Sequence, residues 1–285
     1  MHEQALAIAR EAAALGAEVI EPFYRRGHIP SESKGPGDPV TEADRAANAA
    51  IVSFLRARCP DDAVCAEENS IEDNLRNLAR GGRCWFVDPI DGTREFIARN
   101  GEFCVMVGLA VDGAPVAGAL VAPAVADSAV EASRRAAHTL RREFWGAVGL
   151  GAFESIDGRP PRALKAVAPT GAPRMIASRS RPDPRISAVA TALGAIGPRP
   201  CGSLGLKVAL LLAGEADLYI LARGGSKLWD ACAPHAIAAA AGAVVSDIDG
   251  APVRYSNVSL ELDRGIVVGP EALHPRAIAA LRSAM

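Results

Sequence analysis

Trp85-Phe86-Val87-Asp88-Pro89-Ile90-Asp91-Gly92-Thr93 is the stretch from which the rest of the chain is read. Its first residues are aromatic or β-branched and read as a buried strand, which runs into two carboxylates and then into a helix start. Two aspartates three apart at a strand end repel each other unless cations lie between them, and hard cations such as Mg2+ take oxygen ligands. Pro89 stiffens the turn, and Gly92 lets the backbone come close to a ligand. Gly92 and Thr93 then offer amide hydrogens and a hydroxyl at a helix N-terminus, where a phosphate is favoured. Alone, the segment also reads as an Asp/Gly turn with helix capping, and its neighbours weigh against that.

Glu67 and Glu68 follow a second short apolar strand over residues 63–66, so their carboxylates can reach the same strand-end edge, although a solvated acidic loop would look alike. Thr41-Glu42-Ala43-Asp44 has the form of a capping box, in which Asp44 satisfies a free amide. Asp230, after Trp229, begins a helix over residues 229–241 and could serve only to complement its dipole. His235 on that helix is expected to be packed and hydrogen-bonded, not catalytic.

With 285 residues, 49% of them hydrophobic, the chain can bury one large core or two closely packed smaller ones, which excludes disorder. The formal charge of -2, from 31 basic and 33 acidic residues, lacks the footprint of a binder of nucleic-acid polymers or anionic membranes. A small-molecule partner follows. The first apolar stretch is broken by Glu3, Arg10, Glu11 and Glu18, so it is neither signal peptide nor membrane span. A cytoplasmic location is expected, with peripheral attachment to an inner membrane as the alternative. Six scattered cysteines, without a C-x-x-C pair, suggest buried reduced thiols.

Helices are predicted over residues 4–24, from about Thr41, and over 184–193, 204–212 and 229–241. Strands are predicted at 63–66, 84–87, 175–177 and 218–221 and near Val244 and Ile266, with a hairpin of 103–111 and 116–121 turning at Asp112-Gly113. Residues 27–38 read as a loop carrying the cation Lys34. The result is a mixed α/β (α+β) enzyme. Pro160, Pro161, Pro169 and Pro173 place a boundary that divides an N-terminal subdomain, 1–160, bearing the main acidic motifs, from a C-terminal one, 161–285, supplying Asp230 and substrate-facing groups across a shared cleft.

Together, Val40-Thr41-Glu42-Ala43-Asp44, Ala66-Glu67-Glu68, Asp88-Pro89-Ile90-Asp91-Gly92-Thr93 and Trp229-Asp230 resemble the ordered motifs of the inositol monophosphatase superfamily. Arg94-Glu95-Phe96, Arg99-Asn100-Gly101-Glu102-Phe103 and Gly202-Ser203 with Leu206-Lys207 are most similar to its 3'(2'),5'-bisphosphate nucleotidase (CysQ-like) branch. Ala66 departs from the usual Gly or Ser before the glutamate pair, and the segment 201–207 matches only loosely. The resemblance implies a layered αβαβα sandwich, inhibition by lithium, and two to three Mg2+ ions. It implies that Glu67, Asp88 and the Ile90 carbonyl hold one ion, that Asp88, Asp91 and Asp230 hold a second, and that Asp44 reaches a third through water. Thr93, helped by Glu67, would orient and deprotonate the attacking water, so Glu67, Thr93 and Asp44 are the expected catalytic residues. Asp91, Gly92, Thr93, Ser203, Lys207 and Asp230 are the expected substrate contacts, with Arg94 and the loop 223–227 as further candidates. The expected reaction converts adenosine 3',5'-bisphosphate to AMP. Inositol monophosphate is the first alternative and another sugar phosphate, such as fructose 1,6-bisphosphate, the second; a non-catalytic binder of metal and phosphate is the reading from another class. Monomer and homodimer are both open.

Overall fold

A computed structural model describes residues 2–26, 28–35, 38–126, 139–255 and 259–284. The N-terminal half builds α1 (His2–Arg25), a small hairpin of β1 (Ser31–Gly35) and β2 (Asp38–Thr41), α2 (Glu42–Arg58), β3 (Ala63–Ala66), α3 (Ile71–Ala79), β4 (Arg83–Asp91) and α4 (Thr93–Ala98). The strands β5 (Cys104–Val111), β6 (Ala114–Ala126), β7 (Thr139–Ala147), β8 (Gly151–Ile156) and β9 (Arg162–Leu164) follow, and β3 to β9 form a seven-stranded sheet in chain order. The C-terminal half builds β10 (Arg174–Ser178), α5 (Pro184–Leu193), β11 (Ile196–Cys201), α6 (Leu204–Leu212), β12 (Leu218–Leu221), α7 (Leu228–Ala240), β13 (Ala243–Ser246), β14 (Ile266–Pro270) and α8 (His274–Ser283). Its five-stranded sheet runs β11-β10-β12-β14-β13.

The layers follow from which face each element buries. Ile8, Ala12, Ile20, Ile51 and Leu55 of α1 and α2 pack on Trp85, Val87, Val105 and Val107 of the seven-stranded sheet. The other face of that sheet, through Phe86, Met106 and Phe144, meets Leu206, Val208, Cys232 and Ile237 of α6 and α7, which also cover Ile176 and Tyr219 of the second sheet. Ile186 and Val189 of α5 and Ile278 and Leu281 of α8 close its far side. The order is helices, sheet, helices, sheet, helices, which is the αβαβα sandwich expected.

Close approach of α7 to the sheet depends on glycine. Gly108 and Gly118 face each other across β5 and β6, and a Cβ at either would fall 2.5 Å from the Ala233 nitrogen or 2.4 Å from its carbonyl oxygen. With alanines on the helix and glycines beneath it, α7 lies against the strands, and its first turn, with Asp230, is fixed over their ends.

Several elements differ from the sequence reading. The loop 27–38 contains β1 and the first residue of β2, whose hairpin has no alternation of polar and apolar residues to signal a strand; the side chain of Lys34 lies outside the described residues. β4 runs on past Val87 because a bulge between Asp88 and Asp91 lets the ladder resume at Asp91 and Cys104. α3, β11, α8 and the strands β7 to β9 are additional to the elements predicted from the sequence. In α3 the signal was present, since Ser70 accepts from the Asp73 amide at 3.1 Å as its N-cap. The Asp112-Gly113 turn is as read, with φ of 50° and 77°.

Candidate active site

β3 and β4 are parallel neighbours, and the Glu67 amide continues their ladder by donating to the Val87 carbonyl at 3.1 Å. Glu67 and Asp88 therefore leave the sheet side by side at its C-terminal edge. Parallel β10, β11 and β12 of the second sheet also end towards this point, so the loops after them enter the same cleft. Glu67, Asp88, Ile90, Asp91, Gly92, Thr93, Ser203, Lys207 and Asp230 all line it. Asp44 sits one layer behind, buried beneath Thr93.

The turn after Asp88 is held tightly. Asp88 Oδ1 accepts from the Ile90 amide at 3.0 Å, and Gly92 takes φ 97°, where a Cβ would fall 2.9 Å from the Glu102 carbonyl oxygen. The Thr93 hydroxyl lies 3.1 Å from Asp44 Oδ1 and 3.2 Å from the Ile90 carbonyl, so its single proton has two acceptors. Asp44 turns its two oxygens to different partners. Its Oδ2 accepts from the Thr41 amide at 2.8 Å and hydroxyl at 2.6 Å, completing the capping box, while Oδ1 faces Thr93.

Asp91 Oδ2 accepts from the Ser203 hydroxyl at 2.6 Å and the Gly205 amide at 2.7 Å, both from the C-terminal half. Asp230 Oδ2 accepts from the Lys227 amide at 2.9 Å, a capping bond in the first turn, where the sequence suggests a carboxylate complementing the helix dipole. Burial acts on Asp44, Asp88, Asp91 and Asp230 alike, and on Asp88 and Asp230 the repulsion of neighbouring carboxylates adds to it. Asp88 is held well above the usual carboxylate range by burial, then by the charges of Glu67, Asp91 and Asp230. Burial also raises Asp91, against the charge of Lys207, and raises Asp44. Asp230 is pushed up to about 7 by burial and by Asp91.

Among the described residues no three His, Cys, Asp or Glu side chains stand ready to hold a metal ion. Asp91 and Asp230 each turn an oxygen to neighbouring amides or a hydroxyl, and the charges of Glu67, Asp91 and Asp230 all oppose ionisation of Asp88. Closer approach needs positive charge between them. The donor set, four carboxylates and the Ile90 carbonyl without a sulfur or imidazole ligand, suits a hard divalent cation such as Mg2+.

The model of the inositol monophosphatase family matches residues 1–285. The chain belongs to that family. It is 35% identical over 258 residues to a 3'(2'),5'-bisphosphate nucleotidase CysQ of Shigella flexneri, covering 90% of this chain and 94% of that one. It is 34% identical over 218 residues to a 3'-phosphoadenosine 5'-phosphate phosphatase of Mycobacterium leprae, covering 75% and 72%. Among solved structures, CysQ from Bacteroides thetaiotaomicron superposes with a TM-score of 0.73 at 27% identity over 94% of this chain and 97% of that one.

Other expected groups fall differently in this family member. Lys207 lines the cleft but is buried, its ammonium donating to the carbonyls of Cys201 at 3.3 Å, Gly202 at 3.2 Å and Ser203. Lys227 pairs with Glu261, and Arg223 donates to the Pro182 carbonyl at 3.2 Å; Arg94 does line the cleft. The sequence reading missed Ser178, Ser180 and Arg181, which follow β10 into the cleft. The strand-end rule applied to β10 would have found them, as it found Glu67. His235 is packed as expected, 3.1 Å from the Tyr255 hydroxyl and held down to about 4 by burial. All six cysteines are free, and all but Cys59 are buried.

Proposed function

We propose that this chain is a Mg2+-dependent 3'(2'),5'-bisphosphate nucleotidase that hydrolyses adenosine 3',5'-bisphosphate to AMP and phosphate. The observation that carries the reading is the meeting of Glu67, Asp88, Asp91 and Asp230, from both sheets, beside the Thr93–Asp44 pair in one polar cleft. The names of the nucleotidase relatives select this substrate within the family.

In this reading Glu67, Asp88, the Ile90 carbonyl, Asp91 and Asp230 hold two ions and Asp44 stands near a third. When bound, Mg2+ supplies Lewis-acid polarisation of a water and of the phosphoryl oxygens. The protein's own groups handle the proton. Thr93 donates to Asp44 Oδ1, which leaves a hydroxyl lone pair to accept a hydrogen bond from the attacking water; as the water oxygen bonds to phosphorus its proton passes to Glu67, the bond from phosphorus to the ribose 3'-oxygen breaks, and that oxygen takes a proton from solvent. The phosphate would face Asp91, Gly92, Thr93 and Asp230, with Ser203 acting through the Asp91 carboxylate that it holds and Lys207 through its charge alone. Arg94 and Arg181 are the cations at the cleft that answer the second phosphate of the nucleotide. In this reading an N-terminal subdomain, 1–160, and a C-terminal one, 161–285, share the cleft; β9 (Arg162–Leu164) still pairs in the first sheet, so the change of sheet falls between Leu164 and Arg174, a few residues beyond that boundary. Among the described residues no helix is long and apolar enough to cross a membrane, and free thiols suit a reducing compartment; the reaction belongs in the cytoplasm.

The test is Mg2+-dependent phosphate release, as kcat/KM, from adenosine 3',5'-bisphosphate and inositol 1-phosphate, each with and without lithium. A tenfold preference is about 1.4 kcal/mol of differential transition-state binding and is readily resolved. Preference for the inositol phosphate would overturn the substrate, and hydrolysis of neither would overturn the activity.

A further inference from the structure

The motif Asn100-Gly101-Glu102-Phe103 sends no side chain into the cleft, yet it is held in place from every side. Phe103 is fully buried, with its ring 4.8 Å from Tyr24 and 5.0 Å from Phe96 between centroids. Asn100 Oδ1 accepts from the Glu102 amide at 2.9 Å. Gly101 has φ 80°, and a Cβ there would fall 2.1 Å from the Ala124 carbonyl oxygen. These contacts anchor Glu102 to the N-terminal half.

Its carboxylate reaches the other half. Oε2 accepts from Arg179 Nε at 2.8 Å and from the Gly202 amide at 2.7 Å, and Oε1 accepts from Arg179 Nη2 at 2.6 Å. Arg179 in turn donates to the carbonyls of Pro200 at 3.1 Å and Cys201 at 3.0 Å. The Glu102 carbonyl oxygen lies 2.9 Å from where a Gly92 Cβ would stand and 2.8 Å from where a Gly202 Cβ would stand. One residue thus touches the turn that carries Asp91 and Thr93 and the loop that carries Ser203. Ser203 and Gly205, immediately beyond, supply both donors to Asp91 Oδ2.

We propose that Glu102 is a positioning residue that latches the 200–203 loop of the C-terminal half onto the Asp91–Thr93 turn of the N-terminal half, so that Asp91 presents its other oxygen to the magnesium site. The inference rests on the metal site of the proposed function. An exposed Arg–Glu pair by itself contributes little to stability. Here the carboxylate also takes a backbone amide, so its loss moves a loop.

The test is calorimetric titration of the metal-stripped full chain with Mg2+, alongside kcat, KM and thermal midpoint. Glu102→Gln, Glu102→Ala and Arg179→Lys are compared with the parent and with Asp217→Asn, which breaks the remote Arg174–Asp217 pair on the same sheet. Support for an aspartate that ligates magnesium is expected to be worth roughly tenfold to a hundredfold in affinity. Glu102→Ala should weaken Mg2+ binding by that factor and Glu102→Gln by less, with Asp217→Asn lowering only the midpoint. Should Glu102→Ala fail to fold, Glu102→Gln and Arg179→Lys carry the same comparison. Mg2+ affinities within twofold of the parent in the Glu102 variants, or an equal loss in Asp217→Asn, overturn the latch. A parent that binds Mg2+ but releases phosphate from neither substrate sinks the functional reading while the affinities still decide the latch; a parent that binds no Mg2+ sinks both.

Discussion

Replacing Asp230 by Asn removes one charge from a cluster in which burial and repulsion oppose ionisation. The carboxyl rises from 3.8 to about 7, and at about 1.4 kcal/mol per tenfold change in proton affinity this corresponds to roughly 4 kcal/mol. The Asp91 charge supplies part of that rise, so about half of it, roughly 2 kcal/mol, is the working figure for the single change. The sign follows from linkage. The folded carboxyl binds its proton more tightly than the unfolded one, so its stability contribution is fully present below 3.8 and is lost as pH rises through about 7. Asn keeps the acceptor for the Lys227 amide and does not ionise. In EDTA, Asp230→Asn should therefore match the parent near pH 4 and exceed it at pH 8, by about 3 °C in thermal midpoint for about 2 kcal/mol. Saturating Mg2+ should stabilise the parent and close or reverse that gap, because binding to the folded state alone adds stability. Thermal melts at four pH values, with EDTA and with Mg2+, provide the measurement. A variant no more stable than the parent at pH 8 in EDTA, or one that Mg2+ stabilises as much as the parent, would refute the reasoning.

Asp88→Asn should abolish phosphate release while leaving circular dichroism unchanged, since this carboxylate faces both proposed ions; residual turnover above a hundredth of the parent would count against its role. Thr93→Ala should lower kcat roughly a hundredfold, and Thr93→Ser, which restores the hydroxyl to Asp44, should recover to within about tenfold in steady-state assays. Gly108→Ala should destabilise the fold by about 1–3 kcal/mol in urea denaturation, because the new methyl meets the α7 backbone and cannot be relieved by a rotamer change. Arg181→Ala should raise KM for adenosine 3',5'-bisphosphate about tenfold and leave inositol 1-phosphate nearly unaffected, as measured by initial rates.

The local chemistry was legible before any coordinates, because each piece of it lies within a few residues. A strand, two aspartates, a stiff proline and a glycine at 85–93 are enough to imply a carboxylate-rich strand end. Strand-end logic reached Glu67 for the same reason, and the glycine at 92 is required by its positive φ. The capping box of Asp44 was equally visible, but its second oxygen meets Thr93 across 49 positions of sequence, and neither motif announces the other.

What only the tertiary structure decided concerns the meeting of the two halves. Lys207 reads in sequence as a cation free to grip a substrate, yet helix α6 turns it inward onto three carbonyls. Arg181 reads as an ordinary loop cation until the parallel order of β10, β11 and β12 directs its loop into the cleft. The partnership of Glu102 with Arg179 and Gly202 spans 77 and 100 positions. Hydrophobic periodicity reports which face of an element is buried, and turn chemistry reports where it ends. Neither reports which distant strand end it will face, because that depends on how two sheets and the helices between them pack. The residues of the site were therefore readable singly from the sequence, while their pairing was decided by the αβαβα packing.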